Sequence, residues 1–328
     1  MVKDQFPLTV PAERMDGKKK GAGAEFYQRV TGKKVGTKEH LDLWTAGLNG
    51  APKTNDMKVA AVRKLATAFS TLQSITKREV QLWAQELVTK GSLSPKTVRR
   101  DLSFCRQYWK YLQNIEVVDE NLMPFDNLQI NQNTHQVIRA RRKAFTPEEV
   151  VALHSAAKNR KDQPLADLIE LAMWTGARIE ELCALKVEHV TDVSFKIVDA
   201  KTDQGWRVIP LHSKLKPTMD RLVKKSKDGY VLSGLSITNK YAKRSNGIGK
   251  RFSRLKGELG FERGTQVFHS IRKTVMTLLK NAGVPEVVAA DIAGHSKPTL
   301  TYGLYPGDPD FQVVREAIEK LNYPTESM

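Results

Sequence analysis

Two segments of the chain put cationic and imidazole side chains where a phosphate group can be held. In Trp174-Thr175-Gly176-Ala177-Arg178-Ile179-Glu180-Glu181-Leu182 one helix ends at a glycine and another begins at once. Arg178 falls in the first turn of the second helix, beside backbone N–H groups that have no intrahelical acceptor, and a planar guanidinium there suits a phosphate. Glu181, one turn on, can orient it. Taken alone, an arginine at a helix start is more often an ordinary surface residue. The second segment, His269-Ser270-Ile271-Arg272, sets an imidazole and a guanidinium one helical turn apart, with Ile271, Val275, Leu278 and Leu279 able to supply the buried side. Ala282-Gly283-Val284-Pro285 then ends that helix and opens another, and Ala293-Gly294-His295-Ser296 ends the next with a further histidine. Tyr305 stands ten residues after His295 and just before Pro306.

The elements that must carry these residues are mainly helical. Thr146, Pro147, Glu148 and Glu149 form a capped helix start with acidic residues near the positive end of the dipole, so a new domain is expected to begin at about residue 145. Helices run to about Val190. Phe195 to Leu211 alternates around Asp203-Gln204-Gly205 and predicts a small β-hairpin, after which helices resume from Lys214. The fold class expected is mainly α with a small hairpin, an α+β domain behind a helical one.

Upstream, residues 1–36 carry Lys18, Lys19 and Lys20 among glycines and read as a basic arm. Residues 37–115 form a helical domain. Thr76 with Glu79 makes a capping box, and Ser94 with Pro95 caps a helix whose Val98, Leu102, Cys105, Trp109 and Leu112 make one apolar stripe. Lys96, Arg99, Arg100, Arg106 and Lys110 lie largely off that stripe, as a solvated face or as contacts to phosphates. Residues 116–144 lack a sustained period, contain Arg139, Arg141, Arg142 and Lys143, and are assigned to a basic linker able to lie along a duplex.

Composition narrows the partner. Fifty-three Lys and Arg against 36 Asp and Glu leave a net charge of +17, a field that draws the protein to a polyanion, nucleic acid first. No apolar run approaches the roughly 18 residues that span a bilayer, and the amino terminus lacks a secretory apolar segment, so a cytoplasmic protein with no membrane role is expected. Cys105 and Cys183 have neither the spacing of a zinc site nor that of a disulfide framework, and no Walker loop or His/Cys cluster is found, so no metal and no cofactor is expected.

In this order, the motifs resemble those of the tyrosine recombinases, the family of phage integrases and chromosome-dimer-resolving recombinases. Thr175-Gly176-Ala177-Arg178 with Glu181 and Leu185 is similar to the family's first arginine box. His269-Ser270-Ile271-Arg272 is similar to its His-x-x-Arg box, and Ala293-Gly294-His295 leading to Tyr305 to its last. Lys201, ahead of Arg207-Val208-Ile209-Pro210-Leu211, occupies the place of the hairpin lysine. The likeness runs from about residue 37 to 310. Two departures stand out: Ala293 replaces the usual leucine, and many members have one residue fewer between the last histidine and the nucleophile, which here selects Leu304. Tyr302 therefore competes with Tyr305, and Tyr305 is preferred because Thr301-Tyr302-Gly303-Leu304-Tyr305 looks like phage integrases whose second aromatic position reacts.

The resemblance implies a site-specific recombinase that cleaves and rejoins double-stranded DNA through a 3′-phosphotyrosyl link at Tyr305. It implies Arg178 and Arg272 on the non-bridging oxygens, His295 as a further donor, Lys201 protonating the 5′ oxygen and His269 assisting at the phenol. It also implies a homo-tetramer on DNA. An amphipathic terminal helix, with Phe311, Val314, Ile318 and Leu321 at helical spacing from about residue 309, is a candidate dock on a neighbouring protomer or on its own domain. Rival readings are a non-catalytic DNA-binding regulator, which leaves the ordered Arg, Lys, His, Arg, His, Tyr set unexplained, and a relaxing topoisomerase of related chemistry.

Overall fold

In the computed structural model, residues 34–130, 142–198, 206–262, 264–294 and 310–324 are described. Helices dominate them, joined by one two-stranded sheet. The chain divides into two units, Met1–Arg139 and Ala140–Met328.

The first unit holds α1 (Leu41–Ala46), α2 (Pro52–Ala68), α3 (Lys77–Thr89) and α4 (Pro95–Asn114), the last two starting at the expected caps. The Thr76 hydroxyl accepts from the Glu79 N–H at 3.2 Å and Ser94 from the Thr97 N–H at 3.3 Å, each satisfying a donor that the first turn leaves open. The α4 stripe is buried against Val62, Leu65 and Val80, and Tyr108 on the same face donates its phenol to the Thr37 carbonyl at 3.0 Å. Cys105 is a buried core residue whose thiol is pushed up by burial.

The assignment of a linker beginning at residue 116 is corrected for residues 116–130. Phe125 and Ile130 are buried in the first core, and three α4 side chains hold the segment by its carbonyls: Trp109 Nε1 on Leu122 at 2.7 Å, Arg99 on Ile130 at 2.8 Å, and Arg106 on Phe125. An aperiodic stretch rich in turns hides such packing, because its apolar residues are spaced by no regular element. At the other end, the Lys143 N–H donates to Thr265 at 2.8 Å and Phe145 is buried, so the second unit starts by residue 143. Residues 131–141 lie outside the described residues.

The second unit opens with α5 (Pro147–Asn159), capped by the expected reciprocal Thr146–Glu149 box. Next comes α6 (Gln163–Thr175), buried along almost its whole length, as a helix apolar on all sides must be at the centre of a domain. After the short α7 (Ile179–Cys183), β1 (Ser194–Ile197) pairs antiparallel with β2 (Arg207–Pro210) in the register Ser194–Pro210, Phe195–Ile209, Lys196–Val208, Ile197–Arg207. The hairpin is therefore where the alternation placed it; its turn, residues 199–205, lies outside the described residues. Then follow α8 (Lys216–Lys225), α9 (Ser245–Glu258), α10 (His269–Asn281), α11 (Glu286–Ala293) and α12 (Phe311–Glu319).

The terminal helix α12 packs on its own unit. Val314, Ala317, Ile318, Leu321 and Tyr323 join the unit's core. The Tyr323 phenol donates to the Met173 carbonyl at 3.1 Å, and Ser213 gives Glu319 two hydrogen bonds of 2.8 Å. His212 sits between them: its Nδ1 accepts from the Lys214 N–H at 3.0 Å, which leaves Nε2 to donate to the Leu321 carbonyl at 3.1 Å. Phe311 and Val313 stay exposed. Because Ile318 has no exposed surface, Ile318→Ala is expected to destabilise the second unit by about 2–5 kcal/mol. Urea denaturation measures this, and an unchanged midpoint contradicts docking on the helix's own unit.

Candidate active site

Gly176 ends α6 in the left-handed conformation, with φ 61°. A Cβ there would stand 3.0 Å from Val275 Cγ1, so α10 packs directly on the turn and only glycine fits both demands. Two residues later Arg178 caps α7. Its own N–H donates to Glu181 Oε2 at 2.8 Å, and its Nη1 donates to Glu181 Oε1 at 2.6 Å. The carboxylate of Glu181 thus takes the amide of Arg178 itself. The guanidinium itself keeps two-fifths of its side chain exposed, so it is the guanidinium that is presented to an anion. Glu181 does orient the arginine, as its spacing suggested.

Arg272, on α10, is 3% exposed. Its Nη1 donates to the Gly176 carbonyl at 2.9 Å and its Nη2 to the Ala293 carbonyl, while Nε is buried with no acceptor among the described residues. Neither partner is charged. Burial, with the neighbouring charges of Arg178 and Arg207, pushes the Arg272 guanidinium down to about 9. Arg178 Nη2 donates to the Gly294 carbonyl at 3.1 Å. The two arginines, 94 residues apart in sequence, thus grip adjacent carbonyls at the end of α11, immediately before His295.

Arg207 completes the cluster. At the start of β2, its Nε donates to the Ile292 carbonyl at 2.8 Å and its Nη2 to Glu181 Oε2 at 2.9 Å. Burial alone would raise the Glu181 carboxyl, but the bonds and charges of Arg207 and Arg178 outweigh it and hold the carboxyl below its usual range. Arg178 and Arg207 therefore share one carboxylate, and Arg272 stands near enough for the charges of both to bear on it.

His269 opens α10 with its ring exposed at the same place. Partial burial and then the charges of Arg272, Arg178, Arg142 and Lys273 lower its pKa, so at neutral pH the imidazole is neutral and able to accept a proton. Lys273 also donates to the Arg142 carbonyl at 2.6 Å. Arg142, expected as a DNA contact, therefore shares the field of the cationic cluster. Sequence reasoning assigned no role to Lys273 or Arg207, since Arg207 meets Glu181 from a strand 26 residues away and no local spacing marks the pair.

Arg178, His269 and Arg272 are thus brought together. Lys201, His295, Tyr305 and its competitor Tyr302, with Arg139 and Arg141, lie outside the described residues. In the first unit, Lys96 is exposed on α4. Arg99, Arg100 and Arg106 carry internal contacts as well: Arg99 holds Ile130, Arg100 pairs with buried Asp101 at 2.6 Å, and Arg106 meets Asp126 at 2.6 Å. Lys143 ties its backbone to the second unit. Cys183 is buried, its thiol pushed up to about 12.

The sequence profile of the Phage integrase family matches residues 143–307, half of the chain and most of the second unit up to α12. A tyrosine recombinase of Pseudothermotoga lettingae is 27% identical over 249 residues, covering 70% of this chain and 77% of its own. Lambda integrase, as a dimer bound to a COC′ core site, superposes with a TM-score of 0.68 at 18% identity, covering 94% of this chain and 85% of that one. As a tetramer bound to a Holliday junction it gives 0.65, covering 85% and 83%; at this identity the likeness is one of fold. The chain belongs to the phage integrase family.

The charge arrangement makes a direct prediction for the imidazole. Protonating His269 adds a cation beside cations, so its NMR titration midpoint is expected below the ordinary histidine value of about 6.5. Arg272→Gln removes a repelling charge and should move the midpoint upward. A midpoint unmoved by that substitution would separate His269 from the cluster.

Proposed function

We propose that Tyr305 attacks a DNA phosphodiester in the cationic cluster built on Arg178 and Arg272. The enzyme is a tyrosine-type site-specific DNA recombinase. The phenolic oxygen bonds to phosphorus, the 5′ oxygen departs, and a 3′-phosphotyrosyl link forms; the freed 5′ hydroxyl of a partner strand reverses the step. Arg178 and Arg272 bind the non-bridging oxygens, with His295 as a further donor. Lys201 protonates the leaving oxygen, and His269, neutral at working pH, takes the phenol proton. The bond exchanged conserves its energy, so no nucleotide hydrolysis is needed.

One observation carries this reading: a buried guanidinium with only carbonyls as partners, beside two other guanidiniums that share a single carboxylate. Such an arrangement lacks negative charge, and the phosphoryl oxygens of a cleavage transition state supply it where donors already point. A purely binding protein has no use for a buried guanidinium poised this way, since duplex affinity is gained more readily from exposed lysines and arginines. A relaxing enzyme shares the chemistry, but the family and its relatives favour strand exchange.

The basic residues Lys96, Arg99, Arg100, Arg106, Arg139, Arg141, Arg142 and Lys143 are proposed to meet the duplex backbone, where they position the enzyme without reading sequence. Assembly as a homo-tetramer on DNA is proposed by analogy with the lambda integrase tetramer. Docking of α12 on a neighbour would require it to leave the core it fills here.

The test begins by selecting a bound sequence from random duplexes and placing a nick beside it, so that cleavage traps the protein. Covalent adduct is expected with the native chain and with Tyr302→Phe, and none with Tyr305→Phe. Arg178→Ala or Arg272→Ala should slow its formation about a hundredfold or more. Adduct that survives Tyr305→Phe but not Tyr302→Phe reassigns the nucleophile.

A further inference from the structure

Arg207 is a buried cation that the reaction scheme leaves without a task. Its side chain is 7% exposed and that of its partner Glu181 5%, so it is poorly placed to reach DNA itself. Burying such a pair is costly, and an apolar pair of the same shape is often as stable. The cost is higher here because the same carboxylate already serves Arg178 and because burial lowers the Arg207 guanidinium's affinity for its proton.

What distinguishes Arg207 is where its bonds go. One reaches Glu181, whose two oxygens hold the side chain and backbone of Arg178. Another reaches the Ile292 carbonyl in the last turn of α11. The chain then turns at Gly294, with φ 61°, and a Cβ on that glycine would stand 2.7 Å from Arg207 Nη1 and 3.0 Å from its Cζ. The turn that delivers His295 is wrapped against the guanidinium. Arg207 also begins β2, opposite Ile197, six residues after Lys201 in sequence.

Resting on the cleavage reading above, we infer that Arg207 is a positioning residue: it fixes Arg178 through their shared carboxylate and fixes the backbone entering His295 through Ile292. Lysine cannot replace it, because a point charge makes no planar fork between Glu181 and the Ile292 carbonyl.

The experiment uses the full chain and the nicked duplex from the selection above, with Arg207→Met and Arg207→Lys. Single-turnover adduct formation is followed against pH, beside duplex affinity and thermal melting. Arg207→Met is expected to melt cooperatively, to bind the duplex within about threefold of native, since affinity rests on many phosphate contacts, and to form adduct at least about tenfold more slowly, because a small misplacement of a clamp is expensive. Its rate should fall further toward acid where the native rate is flat, since Glu181 without Arg207 is a buried carboxyl whose pKa rises. Arg207→Lys should be slow but keep the flatter profile. A native rate and profile in Arg207→Met would overturn the inference, as would a rate loss matched by an equal loss of duplex affinity. Should Arg207→Met fail to melt cooperatively, Arg207→Lys decides alone: slower with unchanged affinity supports the inference, and a native rate overturns it. Absence of adduct with the native chain instead sinks the cleavage reading itself.

Discussion

The second unit is organised around a deficit of negative charge. Arg272 is buried among carbonyls, and Arg178 and Arg207 divide Glu181 between them. Burial first, and then the repulsion among neighbouring cations, lowers the pKa values of Arg272 and His269. The surrounding core has to hold the cations together against it. That core is large, running from Phe145 through the buried helix α6 to Tyr323.

Glycines make the convergence geometrically feasible. Gly176 and Gly294 each end a helix with positive φ, and each presents its backbone where a side chain would intrude: Gly176 against Val275 and Gly294 against Arg207. The carbonyls of Gly176, Ala293 and Gly294 become acceptors for Arg272 and Arg178. The same residues that stop the helices therefore tie together α6, α10 and α11, and the position of one guanidinium depends on turns far away in sequence.

Much of this was legible in the sequence. Caps at Thr76, Ser94 and Thr146, the apolar stripe of α4, the hairpin and the pairing of Glu181 with Arg178 are local signals, carried by spacing within one or two helical turns, and they survive folding unchanged. The ordered boxes also identified the family. What the sequence concealed is non-local. The packing of residues 116–130 on the first core depends on isolated apolar residues such as Phe125, which have no period. The second partner of Glu181 lies 26 residues away on a strand, where no helical spacing points to it.

The docked terminal helix has a further consequence, one of reach. Gly294 and Asp310 are both anchored, the one by Arg178 on its carbonyl and the other by its side chain capping α12. The phenol at 305 is five residues from the second anchor, so with α12 seated its Cα can range at most about 18 Å from Asp310 at full extension. For the nucleophile proposed at 305, the point from which that distance is measured is set by the core that α12 occupies. Adding residues between 305 and 310 would lengthen that bound without altering Arg178, Arg207 or Arg272.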